Sequence, residues 1–414
     1  MTIHSTRRDT PVVVPAALST PVFDKAFTPT PAPIPAPVLA SADSSSGSQR
    51  KPTYGTRGAI PADTGDEVQL PAPGTALSPE LPQSPPDRAR AVLFHETGGP
   101  EVLRIEQVPL PAPGPGEALL RVEALGLNRA EALFRAGTYY YPPSLPGSRL
   151  GYEAAATVAA VGEGVGQLAV GDGVLTGPGI EMSAQGVYGD WLLLPADGLV
   201  RRPVELDPVT AAATWLTYST AYGALVGTAG LQAGDHVLIT AASSGVGIAA
   251  LQTAARIGAI PIAVTRTAAK RGRLLDNGAA HVLVSEVQDV PAEARRITGG
   301  TGVDVVFDAI AGPGLAELAG AARMGGTVVV YGWLDGRPMS MPLNWPLTVH
   351  GYANQAVADF GEGRRRAEHF IASGLSDGSL RPVVGEVFEG LESMPEAHRA
   401  MERNEHVGKI VVTV

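Results

Sequence analysis

The stretch His236-Val237-Leu238-Ile239-Thr240-Ala241-Ala242-Ser243-Ser244-Gly245-Val246-Gly247 joins an apolar run to a small-residue turn that opens a helix. Ser243, Ser244, Gly245 and Gly247 carry small or no side chains. With Val246 they bring backbone N–H groups and the positive end of a helix dipole to bear on a phosphate. Ile248, Leu251, Ala254 and Ala255 follow at helical spacing as far as Gly258, which suits a C-cap. A second apolar run, Ile260–Thr265, completes one strand–helix–strand unit of about thirty residues. A pyrophosphate-binding βαβ unit is predicted here.

The end of that second strand selects the dinucleotide. NAD-binding units place an Asp or Glu there to bond the ribose 2′-hydroxyl. This chain reads Thr265-Arg266-Thr267-Ala268-Ala269-Lys270-Arg271, with no carboxylate and three cations. Since a preference of about 1.4 kcal/mol is already tenfold in binding, Arg266 with Lys270 points to the 2′-phosphate of NADPH. The plainer alternative, a solvated cationic helix start, fits Lys270 and Arg271 better than Arg266.

At 414 residues the chain is long enough for two domains with sizeable cores. A formal net charge of -10 argues against broad binding to nucleic acid or anionic membranes. The run Arg364-Arg365-Arg366 reads as a solvated helix face. The absence of cysteine removes disulfides, thiolate catalysis and cysteine-ligated zinc together. No apolar run approaches the ~18 residues of a membrane span. Arg7-Arg8 ahead of Val12-Val13-Val14 faintly echoes a twin-arginine signal, but Pro11, Pro15 and Pro21 interrupt its apolar part. A cytoplasmic protein is expected.

Residues 1–88 differ from the rest, holding sixteen of the 36 prolines and the run Ser44-Ser45-Ser46-Gly47-Ser48. Such a segment buries too little apolar surface to offset its ordering entropy, which predicts a disordered or partly polyproline II arm. A tether, a docking arm for a partner and a mis-assigned start codon all fit it. Residues 89–212 show short apolar runs, among them Ala91–Phe94, Ala118–Val122 and Ala154–Val161, divided by turns such as Pro113-Gly114-Pro115-Gly116. These predict a β-rich domain of irregular barrel type. From 213 to 345 helix and strand alternate, with strands expected at 236–241, 260–265, 281–285, 303–308 and 327–331. That is the rhythm of a doubly wound parallel sheet, a Rossmann domain. Beyond about Pro342 the rhythm stops. Residues 346–414 are assigned back to the first domain through a terminal strand, Lys409–Val414.

Several separated segments then carry a resemblance: Gly126-Leu127-Asn128-Arg129-Ala130-Glu131, Leu150-Gly151-Tyr152-Glu153-Ala154-Ala155, Val170-Gly171-Asp172-Gly173-Val174, the 241–247 turn, and Gly408-Lys409-Ile410-Val411. With the β-rich front and the βαβ unit, they make residues 89–414 resemble the medium-chain dehydrogenase/reductase superfamily. The resemblance is nearest to its zinc-independent quinone oxidoreductase and enoyl reductase branch. It implies a GroES-like catalytic domain beside the NADPH-binding Rossmann domain, and a homodimer. The family turn is Ala-x-x-Gly-x-x-Gly; here Ala241, Ser244 and Gly247 hold those places, so a serine able to bond phosphate replaces the middle glycine. Zinc-dependent relatives take ligands from a Cys, a Gly-His-Glu segment and a second Cys. This chain has Asn128 and Gly151-Tyr152-Glu153 at the first two places and no cysteine, so no metal site is expected.

Without a metal, a nicotinamide enzyme passes hydride to a carbon activated by conjugation, in an enone, an enoyl thioester or a quinone. The protein must steady the oxygen that gains charge. The resemblance implies a tyrosine for this task in a Gly-x-Tyr segment, matched by Gly137-Thr138-Tyr139, with Tyr140 and Tyr141 leaving the register open by one or two. It implies Asn128 as a substrate-orienting amide, against a helix cap, and Tyr152 facing the nicotinamide, against a buried aromatic. Thr220 near the nicotinamide, Tyr331 and Gly332 at its carboxamide, and Lys409 at the cleft or on the surface complete the implied cofactor set. Asp308 reads as structural. Leu133, Phe134, Trp191, Trp345 and Tyr352 are candidates to shape the pocket. The expected function is an NADPH-dependent, zinc-independent reductase of activated alkenes or quinones. The alternatives are a carrier- or CoA-thioester enoyl reductase of a biosynthetic pathway and a non-catalytic NADPH-binding regulatory protein.

Overall fold

In the computed structural model, residues 85–177, 179–354 and 361–414 are described, so the Pro/Ser-rich arm up to residue 84 lies outside them. The strand–helix–strand unit forms as His236–Ile239, Gly245–Ile257 and Ile260–Thr265. Ser244 caps the helix by accepting the Gly247 N–H, and Gly258, at φ 88°, ends it in the left-handed conformation that suits glycine. Along the helix, Ile248, Leu251 and Ala254 are buried in one core with Val237 and Ile239 of the first strand.

Around this unit a six-stranded sheet runs in the order His281–Val284, Ile260–Thr265, His236–Ile239, Val303–Asp308, Ala322–Val330, Thr348–Gly351. Every pairing in it is parallel. By chain position that order is 3-2-1-4-5-6. The strand order therefore reverses between His236–Ile239 and Val303–Asp308, where an open sheet of this kind leaves a crevice at its carboxyl ends. Alternate residues bury opposite faces: Val237, Ile239 and Phe307 join one core, while Leu238, Val306 and Val328 join another with Val290 and Leu315. The last strand, Thr348–Gly351, lies beyond the point where the sequence rhythm stops. Its residues, Thr-Val-His-Gly, include one aliphatic side chain, and an edge position asks for no more, so no apolar run marks it.

The second sheet has seven strands. Its path runs Val384–Glu389, Lys409–Thr413, Glu117–Gly126, Glu153–Val161, Gly173–Leu175, Val200–Arg201, and Trp191–Pro195 pairs with Glu117–Gly126 off this path. The terminal strand lies between Val384–Glu389, parallel, and Glu117–Gly126, antiparallel. It thereby brings Lys409 next to the front of the chain. Leu120, Leu125, Ala154, Val158, Leu192, Ile410 and Val412 share the core of this sheet. Arg88–Leu93 and Arg104–Pro109 form a separate two-stranded sheet. Among the described residues, no helix is long and apolar enough to cross a membrane.

Candidate active site

A cleft of about 1340 Å³ opens at the crevice, and the turn after His236–Ile239 forms one wall of it. Ala241 takes φ 45°, a left-handed conformation that costs alanine about 1–2 kcal/mol. A Cβ on Gly247 would lie 2.5 Å from the Ala241 carbonyl oxygen, so the turn closes only on glycine. The Ser244 hydroxyl accepts the Gly247 N–H at 3.0 Å and is thereby committed to the helix start. Gly245 and Val246 line the cleft ahead of the first intrahelical bond; the parallel bridge between Ser244 and Gly408 turns the Gly245 N–H toward the Gly408 carbonyl, so the Val246 N–H is the one left for a ligand among the described residues. Gly247 itself sits behind this wall. The Ser243 carbonyl accepts the Gly408 N–H at 2.9 Å, tying the turn to the loop before the terminal strand.

Arg266 and Lys270 line the same end of the cleft. Lys270 Nζ donates to Ser243 Oγ (3.3 Å) and to the carbonyls of Asn404 (2.9 Å) and His406 (3.0 Å). Burial, then the nearby Arg266 charge, lowers its pKa. Arg266 is exposed and touches the Asn404 carbonyl only at 3.5 Å, so most of its donors remain uncommitted among the described residues. A turn of small residues at a helix start, a glycine that admits no Cβ and an arginine at the next strand end fit a 2′-phosphorylated dinucleotide.

Deeper in the cleft, Thr220 donates its hydroxyl to the Leu216 carbonyl one turn back, at 2.6 Å, and so presents little free polarity. Tyr331 is stacked on Phe307, with centroids 4.0 Å apart and planes 14° apart, and Gly332 follows it on the lining. Asp308, fully buried, accepts from Thr240 Oγ1 (2.7 Å) and from the Ala311 (2.7 Å) and Ile310 (3.2 Å) N–H groups. These bonds staple the ends of two neighbouring strands.

On the opposite wall lies a buried polar network. Lys409 Nζ donates to Asn128 Oδ1 at 2.6 Å and pairs with Glu153 Oε2 at 2.6 Å, with both charged side chains almost wholly buried. Glu153 also accepts the Leu216 N–H at 2.9 Å, which fixes the helix carrying Thr220. Asn128 uses its Nδ2 on the Gly126 carbonyl (3.1 Å) and Glu131 Oε1 (3.1 Å). Glu131, fully buried, further accepts the N–H groups of Asn128 (2.7 Å) and Tyr152 (3.1 Å) and the Tyr188 hydroxyl. Burial raises the pKa of both glutamates, and the Lys409 charge acts against that rise.

Beside this network is a group of phenols. The Tyr152 hydroxyl donates to Tyr139 at 3.3 Å and lies 2.8 Å from the Tyr141 hydroxyl. Tyr139 is held edge-on to Phe134 (6.3 Å) and is stacked against Trp333 (5.7 Å, 25°), which reaches across from the parallel-sheet side. Burial raises the pKa of Tyr139 and Tyr152, so both are neutral phenols at physiological pH.

Residues 114–204 match the family described as "Alcohol dehydrogenase GroES-like domain", and residues 245–362 match "Zinc-binding dehydrogenase". A quinone oxidoreductase of Lama guanicoe is 31% identical over 329 residues, spanning 78% of this chain and 97% of its own. The chain belongs to the medium-chain dehydrogenase/reductase superfamily, in its quinone oxidoreductase branch. A 2-haloacrylate reductase of Burkholderia is also 31% identical, over 341 residues, 78% of this chain and 98% of its own. The crystal structure of Escherichia coli quinone oxidoreductase complexed with NADPH superposes with a TM-score of 0.72 at 28% identity, covering 79% of this chain and all of that one.

Although one matched family is named for zinc, the donors here do not fit that ion. Asn128, Tyr152 and Glu153 stand at the expected ligand positions, no cysteine exists, and the Lys409 ammonium already sits between Asn128 and Glu153. A second cation there would meet like charge. Of the pocket candidates, Leu133 and Tyr352 line the cleft. Phe134, Trp191 and Trp345 do not: Phe134 is buried behind Tyr139, Trp191 pairs within the seven-stranded sheet, and Trp345 is 65% exposed. Trp333 and the Glu131 hub have no place in the sequence reading. The Asn128-x-x-Glu131 capping pattern was the available signal for the second; Trp333 had only its position directly after Gly332.

Proposed function

We propose that this chain is an NADPH-dependent reductase that passes hydride, without a metal, to an activated C=C bond or a quinone. The observation that carries this reading is one cleft lined at one end by the small-residue turn and Arg266 and at the other by the Tyr139 phenol. The NADPH complex of the Escherichia coli relative and the named activities of the quinone oxidoreductase and 2-haloacrylate reductase relatives support it. When bound, the nicotinamide supplies the hydride. Gly245 and Val246 would hold the pyrophosphate, and Arg266 and Lys270 the 2′-phosphate. Tyr331 and Gly332 would border the carboxamide, and Tyr352 and Leu133 would exclude water around the acceptor. Tyr139 keeps a proton ready for the acceptor oxygen that gains charge, a task worth about 10²–10⁴ in rate. Asn128, saturated by Lys409, Gly126 and Glu131, acts as a spacer that fixes the wall rather than as a free amide.

NADPH consumption against a panel of quinones, enones and enoyl thioesters tests this. Turnover with quinones or free enones, unchanged by a zinc chelator, is the expected result. Turnover confined to carrier-bound or CoA thioesters would move the assignment to the thioester enoyl reductase. NADPH binding with no turnover on any acceptor would leave the regulatory alternative.

A further inference from the structure

The phenols beside the cleft form an ordered series. The Met182 N–H, which can only donate, lies 3.5 Å from the Tyr141 hydroxyl oxygen. Tyr152 donates its single proton to Tyr139 at 3.3 Å. The 2.8 Å contact between Tyr141 and Tyr152 must therefore have Tyr141 as its donor. Tyr139, already accepting from Tyr152, lines the cleft, where the Tyr140 hydroxyl is its neighbour. From backbone to cleft the sense of donation is constant: Met182, Tyr141, Tyr152, Tyr139. The rings are fixed by packing, with Tyr141 against Phe134 (5.3 Å) and Tyr139 between Phe134 and Trp333. Tyr152 is buried, whereas Tyr141 is partly exposed.

We infer that Tyr141 and Tyr152 are positioning residues that serve Tyr139 as a one-directional proton relay from solvent to the reduced acceptor. This rests on the reading of Tyr139 as the acid. As the acceptor, made anionic by the arriving hydride, takes the Tyr139 proton, the Tyr139 O–H bond breaks. The Tyr152 proton moves to the Tyr139 oxygen, and the Tyr141 proton to the Tyr152 oxygen. Water at Tyr141 restores the last O–H bond and leaves hydroxide in solvent. One hydride and one proton reach the acceptor, every phenol ends neutral, and rotation of the three hydroxyls restores the original sense of donation. The series also explains how a buried phenol gives up a proton at all, because the negative charge is spread along hydrogen bonds instead of resting in an apolar pocket.

The experiment is single-turnover oxidation of NADPH in H2O/D2O mixtures by the full chain, with whichever quinone or enone it reduces. For the wild type a solvent isotope effect with a curved proton inventory is expected, since more than one proton moves. Tyr141→Phe and Tyr152→Phe should each slow the step about tenfold or more, straighten the inventory and leave the KM for NADPH within about twofold. Tyr141, being half-exposed, is replaceable without emptying the core, so a folding defect in Tyr152→Phe would not mask the outcome. If Tyr139→Phe is slow while both relay variants keep wild-type rates and a curved inventory, the relay is overturned and the acid stands. If Tyr139→Phe itself turns over normally, the acid reading fails and the relay with it.

Discussion

Arg266 stands at the end of Ile260–Thr265 with its donors largely uncommitted, whereas Lys270 is already held by Ser243, Asn404 and His406. The discrimination between dinucleotides should therefore rest mainly on Arg266. Arg266→Ala is expected to raise the KM for NADPH about tenfold, a loss near 1.4 kcal/mol, while leaving that for NADH nearly unchanged. Steady-state kinetics with both coenzymes checks this, and equal effects on the two would remove the assignment. Lys409 is a different case, since its charge is matched inside the protein by Glu153 at 2.6 Å. Removing one member of a buried pair leaves the other uncompensated, at a cost of about 3–5 kcal/mol. Lys409→Met should lower the thermal midpoint by several degrees, and adding Glu153→Gln should recover much of the loss. A double variant as unstable as the single one would show that the pair is not the source. In the sequence Lys409 was open to a cleft or a surface position. Only its neighbours in space, Asn128 and Glu153 from distant segments, show that it is buried.

At the scale of elements, the strand–turn–helix unit was legible because its signals are local: an apolar run, a small-residue turn, an apolar helical stripe and a terminal glycine. The turn is also where the backbone is tightest. Gly247→Ala places a Cβ 2.5 Å from the Ala241 carbonyl and must push the turn open. Overpacking of this kind costs about 1–3 kcal/mol. The variant should melt several degrees lower and bind NADPH at least about tenfold more weakly, as measured by thermal scanning and calorimetry. Wild-type affinity in it would mean that the turn does not hold the pyrophosphate. The strand Thr348–Gly351 was illegible for the opposite reason, since its place in the sheet depends on backbone pairing with Ala322–Val330 and not on its own side chains.

For the molecule as a whole, that same strand is an edge of the six-stranded sheet among the described residues. The loop leading into it exposes Met339, Met341, Leu343 and Trp345, with Leu343 79% accessible. An edge strand beside a cluster of exposed apolar side chains predicts self-association. A homodimer joined along this edge is the expected assembly. Light scattering should report two copies for the wild type and one for the Leu343→Asp/Trp345→Asp variant, and a monomeric wild type would count against it. The sequence by itself determined the parallel sheet, the small-residue turn that opens its first helix, the cation at the second strand end and the absence of cysteine, because each is written in contiguous residues or in composition. The tertiary structure alone decided that Lys409 fills the place between Asn128 and Glu153, that Trp333 reaches Tyr139, and that three phenols line up. Those relations join segments up to 281 residues apart, and no local pattern encodes a meeting that only the packed fold brings about.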